Sequence, residues 1–166
     1  MWGVLVIALL LFAIGGNTAA AQQSRPPLSA RDVDDIARLV MLEDRRDYDE
    51  ATLARLLDSN HPEVRRRAAQ SIARIADPRG RALVLARVSD RDTAVAATAV
   101  LAIGQLADTA AVARLDTLLN TRATPVTVAA EAARSLGKIP TSQARTALAR
   151  YLVAATENTG NTPTIG

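Results

Sequence analysis

Apolar residues recur at a fixed helical spacing in three parts of the chain. The three sets lie 31 and then 33 positions apart: Val64, Ala68, Ile72 and Ile75; Val95, Ala99, Ile103 and Leu106; and Val128, Ala132, Leu136 and Ile139. Steps of four, four and three residues keep each set on one face of an α-helix. The sequence therefore predicts three amphipathic helices, each with one buried face.

Each of these helices is followed by residues that end one helix and cap another: Asp77-Pro78-Arg79-Gly80, Asp108-Thr109 and Pro140-Thr141-Ser142. A second apolar pattern comes after each of them. The second helices are predicted to bury Leu83, Val84 and Val88; Val112, Leu115, Leu118 and Leu119; and Ala144, Leu148, Tyr151 and Leu152. Two helices repeated every thirty-odd residues are typical of a stacked array that works through its surface.

A fourth, less regular copy precedes the three. Stepping 31 residues back from Val64 and Val84 leads to Val33 and Leu53. The predicted core positions of this copy are Val33, Ile36, Val40, Met41, Leu53, Leu56 and Leu57. Its many charges suit a terminal unit that meets water: Asp32, Asp34, Asp35, Glu43, Asp44, Arg45, Arg46 and Asp47. The predicted domain covers residues 29–155, with units at about 29–58, 59–90, 91–122 and 123–155.

The segment from Leu56 to Asp90 resembles the short bacterial HEAT-like repeat that also occurs in phycobilisome-lyase-like proteins. The resemblance is carried by a turn aspartate, Val64-Arg65, Ala68-Ala69, the Ile72-x-x-Ile75 ending and Asp77-Pro78, and it extends over roughly residues 29–155. It implies an all-α, right-handed α-α solenoid of about three to four helical hairpins, of a kind used as scaffolds, adaptors and regulatory arms. The arginine that follows the repeat valine is present only in the first of the three regular copies, as Arg65. Ala96 and Ala129 occupy that position in the later copies.

Residues 1–21 differ in character from the repeats. Val4–Ile14 is an uninterrupted apolar run, and Ala19-Ala20-Ala21 supplies small residues before Gln22. This arrangement predicts a signal peptide, followed by a linker over 22–28, in an exported protein of the periplasm or the exterior. An uncleaved anchor is the alternative, because no Lys or Arg precedes the apolar run. After cleavage no membrane span is expected.

Arginines on the second helices are the candidate binding residues. The resemblance implies that second helices line the concave side of the stack, where this chain carries Arg79, Arg81, Arg87, Arg114, Arg145 and Arg150. Guanidinium groups there favour a protein partner with an acidic segment. A solvated polar face is the plainer alternative. A nucleic acid or another polyanion is disfavoured, since the net charge is only +3 and aromatic residues make up 2% of the chain.

The sequence gives little sign of catalysis, so a non-enzymatic protein without cofactors or metals is expected. His61, the single histidine, precedes a repeat helix in a turn, where capping is the expected role. The chain has no cysteine, and the acids of Asp90-Arg91-Asp92 suit turns and caps better than a calcium loop. Gly104 and Gly137 are predicted to allow close helix packing.

The last residues, 156–166, predict a flexible polar tail or linker, because they are rich in Thr, Asn and Gly. The final unit then has no cap, and the chain is expected to be a monomer or a domain of a longer protein. That leaves an alternative function open: the repeats resemble the N-terminal arm of larger exported enzymes, such as cyclophilin-type peptidyl-prolyl isomerases, whose catalytic domain would lie elsewhere.

Overall fold

The computed structural model describes residues 26–159, with residues 155 and 157–159 described by their backbone alone. The predicted signal peptide and most of the predicted linker lie outside the described residues, as does the chain after residue 159. Within the described range no helix is both long enough and apolar enough to cross a bilayer.

Eight α-helices and no strand form the described part of the chain. They are α1 Ala30–Arg45, α2 Glu50–Leu57, α3 Pro62–Ile75, α4 Arg81–Leu85, α5 Thr93–Gln105, α6 Val112–Asn120, α7 Val126–Lys138 and α8 Ser142–Thr159. Short 3₁₀ turns, Pro78–Gly80 and Thr109–Ala111, lead into α4 and α6. The all-α prediction is confirmed, although α8 continues into the segment for which a polar tail was predicted.

The helices stack in two layers. The first helices of the units, α1, α3, α5 and α7, pack against one another in chain order. Each of α2, α4 and α6 packs against the first helix of the next unit, and α8 packs against α6 and α7. Every unit therefore contacts its neighbours in sequence, which is the architecture of an α-solenoid.

The apolar stripes of α3, α5 and α7 are buried as predicted. In α2, the predicted Leu53, Leu56 and Leu57 are buried as well. The prediction for α1 was wrong at Val33, Val40 and Met41, which are exposed, while Leu39 and Leu42 are buried. The reason is the position of α1 at the end of the described stack, where only its side toward α3 is covered.

The second helices follow the predicted pattern except at Leu152, on the last described helix. Their buried residues are Val84, Val88, Val112, Leu115, Leu118, Leu119 and Ala144, and Leu83, Leu148 and Tyr151 are half-buried. Leu152, predicted to be buried, is exposed because no helix among the described residues packs on that side of α8.

Polar caps separate the two helices of each unit. The carboxylates of Asp77 and Asp108 accept hydrogen bonds from the amides of Arg79 and Ala110, at 2.9 and 3.1 Å. Thr141 Oγ1 accepts from the amide of Ala144 at 3.1 Å. These contacts satisfy amides at helix starts that have no partner inside the helix, so the predicted capping is confirmed.

The two repeat glycines have different surroundings. A Cβ built on Gly104 would lie 2.8 Å from Ser135 Cα and 2.6 Å from Ser135 Oγ, because α5 and α7 approach closely there. Ser135 Oγ also donates a 2.8 Å hydrogen bond to the carbonyl of Val100, which ties the same two helices together. The packing role predicted for Gly104 is confirmed. For Gly137 it was wrong, since that residue is exposed and a Cβ would meet only Leu148 Cδ2, at 4.0 Å.

Candidate functional site

Three adjoining cavities form a groove along the turns between units, here called the turn groove. The first, of about 460 Å³, is lined by Pro26, Arg31, Asp32, Asp35, Arg55, Asp58, Ser59, Asn60 and His61. The second, of about 330 Å³, shares residues 58–60 with the first and also includes Arg65, Arg87 and residues 89–91. The third, of about 340 Å³, begins at those residues and reaches Val128. Each cavity therefore shares turn residues with the next.

A buried ion pair lies in the wall of the turn groove. Arg65 Nε and Nη2 donate to the two carboxylate oxygens of Asp90 at 2.9 and 2.8 Å, and Arg65 Nη1 donates to the carbonyls of Ser59 and Asn60. The two side chains are only 4% and 5% exposed. Arg65 therefore connects both turns that border the second cavity.

The ionisation of Asp90 follows from these contacts. Burial by itself raises the pKa of this carboxyl. The hydrogen bonds from Arg65 and from the amide of Asp92, together with the positive charges of Arg65 and Arg87, outweigh burial and hold the pKa of Asp90 below its ordinary value. The same hydrogen bonds raise the pKa of Arg65. The pair is consequently charged at neutral pH.

Two of the predicted binding arginines lie at the start of α4, at a distance from the turn groove. Arg79 forms a bidentate pair with Asp77, at 3.0 and 2.7 Å, and its guanidinium carbon is 4.5 Å from the centre of the Tyr48 ring. Arg81 Nη2 donates to the carbonyl of Leu106 at 3.1 Å. Both side chains therefore help to hold neighbouring units together.

Three more predicted arginines reach back to the preceding unit. Arg87 pairs with Asp58, Arg114 Nη2 donates to Ser89 Oγ at 2.6 Å, and Arg150 Nη2 donates to Asp116 Oδ2 at 2.8 Å. Arg145, the sixth, is exposed, and its side chain makes no hydrogen bond or ion pair within the described residues. Of the six, the groove brings together only Arg87 and Arg114.

The third cavity, here called the Arg91 cavity, combines an apolar floor with positive charge. Its apolar lining residues are Val88, Ala96, Leu118, Val128, Ala123 and Pro125. Arg91 is exposed and has no ion-pair partner in the described part of the chain, and Arg114 is bonded only to a hydroxyl. Asp90, the acid in the lining, is neutralised by Arg65. The cavity can thus accept a carboxylate next to an apolar side chain.

The sequence analysis did not select Arg91 as a candidate binding residue, because it assigned the segment around Arg91 to turns and caps. That assignment is confirmed for its neighbours: Asp92 accepts hydrogen bonds from the amides of Ala94 and Val95, and Asp90 accepts from the amide of Asp92. These caps fix the backbone on both sides of Arg91. The sequence signal that could have indicated Arg91 is its position between two capping acids, Asp90 and Asp92.

His61 has a structural role, as predicted. Its Nδ1 accepts a hydrogen bond from the amide of Glu63 at 3.1 Å, so the ring caps α3. Its Nε2 lies 2.9 Å from the carbonyl of Pro26, to which it donates in the tautomer that lets Nδ1 accept. Both ring nitrogens are therefore occupied.

Among residues 26–159 no group of three or more His, Asp or Glu side chains is placed to hold a metal ion.

Two family profiles match the chain. The profile for HEAT repeats matches residues 50–131, and the profile for the PBS lyase HEAT-like repeat matches residues 128–153. Together they extend from α2 into α8, over the stacked helices described above. The chain belongs to the HEAT-like repeat proteins. A comparison with curated proteins found no match.

Family membership confirms the resemblance that the valine, alanine and isoleucine pattern predicted. HEAT repeats commonly mediate protein–protein interaction, and a surface formed by several units is what such a repeat protein offers to a partner. In this HEAT-like protein the turn groove is lined by residues of all four units.

Proposed function

We propose that this HEAT-like protein is a non-catalytic scaffold or adaptor that holds an acidic segment of a protein partner in the turn groove. The observation that carries the proposal is the Arg91 cavity, in which Arg91 and Arg114 lie beside an apolar floor without a carboxylate partner of their own. A partner carboxylate supplies the missing acceptor.

The chemistry of the cavity favours a peptide over a bare anion. Val88, Leu118 and Val128 line it, so an aliphatic side chain of the partner would lose apolar surface to water by docking there. Hydrogen bonds from a guanidinium to a carboxylate are worth roughly 1.5–3 kcal/mol each, which is enough to fix the orientation of the bound segment. An acidic residue next to an aliphatic one is therefore the preferred motif.

A scaffold function also agrees with the placement of the other arginines. Arg87 and Arg150 pair with acids of the preceding unit, so their charge is used to hold the stack. Arg91 and Arg114, in the lining of the Arg91 cavity, remain available for an acid from outside. The only histidine caps α3 through Nδ1 and bonds the carbonyl of Pro26 through Nε2, and this structural use of both ring nitrogens supports the non-catalytic proposal.

Photo-crosslinking in the native cells tests the scaffold proposal. A photoreactive residue at Thr121, which lines the Arg91 cavity, should capture a discrete protein partner, and replacing Arg91 and Arg114 by alanine should remove that product. The matched control carries the photoreactive residue at Gln143, which is exposed on α8 outside the cavity. Equal products from both positions, or a product that survives the double substitution, would contradict the proposal.

The partner is proposed to be met in the cell envelope, because the apolar run Val4–Ile14 and the alanines before Gln22 have the pattern of a signal peptide. Mass measurement of the protein recovered from cell fractions tests this part separately. A periplasmic or secreted chain beginning at Gln22 is expected. A chain that retains Met1 and stays in the cytoplasm would contradict export without affecting the groove.

A further inference from the structure

The side of α6 that borders the Arg91 cavity carries three kinds of group close together. Thr117 and Leu118 are three and four positions after Arg114, so the three residues share one side of the helix, and all of them line the cavity. Leu118 is 8% exposed and belongs to the apolar floor, whereas Arg114 and Thr117 are exposed at the rim. A charged donor, a hydroxyl and an apolar surface therefore border the same space.

Arg114 and Ser89 form a pair of donors suited to a carboxylate. Arg114 Nη2 donates to Ser89 Oγ at 2.6 Å, so the hydroxyl oxygen accepts this bond and its hydrogen remains for another acceptor. No carboxylate among residues 26–159 bonds either side chain. A carboxylate placed beside the pair can accept from the guanidinium with one oxygen and from the hydroxyl with the other.

Thr117 supplies the opposite kind of group, an acceptor. Its Oγ1 donates its own hydrogen to the carbonyl of Ala113 at 2.9 Å, which leaves the lone pairs of the oxygen to accept a bond. A main-chain N–H next to the bound carboxylate would meet this acceptor about one helical turn from Arg114. An ammonium group would need a counter-ion, and Asp90, the acid in the lining, is already paired with Arg65. The cavity thus favours a peptide N–H over a free amino group.

The last residue of a protein chain combines the groups that such a cavity can bind. Its N–H, its side chain and its terminal carboxylate all leave one Cα, so the three can enter the same cavity together. In an extended internal segment, neighbouring side chains point to opposite faces. An internal aliphatic side chain in the floor therefore leaves the acid next to it at the exposed rim, and no carboxylate accompanies it into the cavity.

We propose that the Arg91 cavity binds the C terminus of the partner protein, with an aliphatic last residue preceded by an acidic one. This inference rests on the scaffold function proposed above and specifies the segment that the groove holds. The terminal carboxylate accepts from Arg114 and Ser89. The N–H of the last residue donates to Thr117, and its side chain covers Leu118. The acid before it reaches Arg91, which is exposed.

The charges of the cavity and of this C terminus match. Arg91 and Arg114 carry positive charges that no carboxylate among the described residues neutralises, while Asp90 in the lining is neutralised by Arg65. The terminal carboxylate and the acidic side chain before it bring one negative charge for each of these arginines. An internal segment with a single acid would leave one arginine without an acidic partner.

Two peptides that differ only at the C terminus test the inference. Both carry a fluorophore at the N terminus and end in a glutamate followed by a leucine, but one has a free carboxylate and the other an amide. Fluorescence anisotropy with the full chain should show at least about tenfold weaker binding of the amide, because it lacks the charged acceptor. Thr117→Val should weaken binding of the free acid. Thr127→Val, exposed on α7 outside the cavity lining, is the matched control and should not.

Arginine variants separate this inference from the scaffold proposal. Arg114→Ala should remove the difference between the two peptides, whereas Arg91→Ala should weaken both alike. Equal binding of the two peptides to the wild-type chain would overturn the inference, and loss of that binding in Arg91→Ala/Arg114→Ala would leave the scaffold proposal in place. Binding of neither peptide would contradict both. Free leucine that competes as well as the acid peptide would identify an amino-acid site and also overturn the inference.

Discussion

At the scale of single residues, Arg65 and Asp90 form the ion pair with the greatest consequence for the described fold. Both side chains are almost fully buried, and Arg65 also bonds the carbonyls of Ser59 and Asn60. Breaking such a pair by removing one partner typically costs about 3–5 kcal/mol, since the other charge stays buried and unpaired. The pair therefore fixes the turns that shape the groove.

The variant Arg65→Met should lower the free energy of unfolding by about 3–5 kcal/mol in urea denaturation, because it leaves the Asp90 carboxylate unpaired. The double variant Arg65→Met/Asp90→Asn should lose less. Arg66→Met is the matched control: Arg66 pairs with Glu63 but is partly exposed, so its loss should cost less than about 1 kcal/mol. Equal losses for Arg65→Met and Arg66→Met would contradict the account.

Acid should destabilise the fold partly through Asp90. A carboxyl whose pKa is lower in the folded state adds stability above its unfolded pKa, about 3.9, and that stability is lost as the pH falls toward the folded pKa. The free energy of unfolding should thus decrease below about pH 4 in the wild type and change less in Asp90→Asn. Urea denaturation at several pH values measures the difference. Parallel curves for the two proteins would exclude a contribution from Asp90.

At the scale of helices and turns, close packing decides which residues the repeat can vary. Gly104 and Gly137 occupy the same register position, but only Gly104 lies under a helix of the next unit. Three first helices also end with non-glycine residues at positive φ: Arg46, Ala76 and Ala107. The repeat therefore tolerates arginine or alanine at a positive φ, a conformation that favours glycine. It requires glycine where α5 and α7 pack closely.

Alanine substitution at the two glycines should have opposite effects. Gly104→Ala would place a methyl group against the Ser135 backbone, which cannot move aside alone, and should lower the free energy of unfolding by roughly 1–3 kcal/mol. Gly137→Ala, the matched control, should raise it by about 0.5–1 kcal/mol because alanine is the better helix former. Thermal and urea denaturation measure both. Destabilisation by Gly137→Ala would show that this position is already covered.

The sequence predicted helix type, helix order and most of the core because the four-four-three spacing repeats almost unchanged from Val64 to Ile139. It failed at Val33, Val40 and Leu152 for a common reason. Periodicity shows which face of a helix is apolar, but whether a neighbour covers that face depends on the position of the helix in the stack.

At the scale of the whole molecule, an arginine can either bond the preceding unit or face a partner. The sequence alone could not distinguish these two roles. Arg87, Arg114 and Arg150 were predicted to face a partner, and the structure shows each of them bonded to the preceding unit. Whether an arginine has an acceptor within the fold depends on residues 25 to 34 positions away, such as Ser89 and Asp116. The cavity beside Arg91 emerges only when neighbouring turns meet in space.

In the turn groove, positive charge lies beside apolar residues. Residues of all four units line the groove. The central claim concerns the groove, since it assigns the protein its scaffold function.

Titration with a synthetic peptide tests that claim most directly. The peptide has glutamates around a central leucine, and its control has glutamines in their place. The wild-type chain should bind the acidic peptide, and Arg91→Ala/Arg114→Ala should weaken binding at least about tenfold, since each lost charged hydrogen bond is worth about 1.5–3 kcal/mol. Arg122→Ala, exposed in the turn between α6 and α7 but outside the cavity lining, should bind like the wild type. Equal binding of both peptides, or unchanged binding by the double variant, would contradict the account.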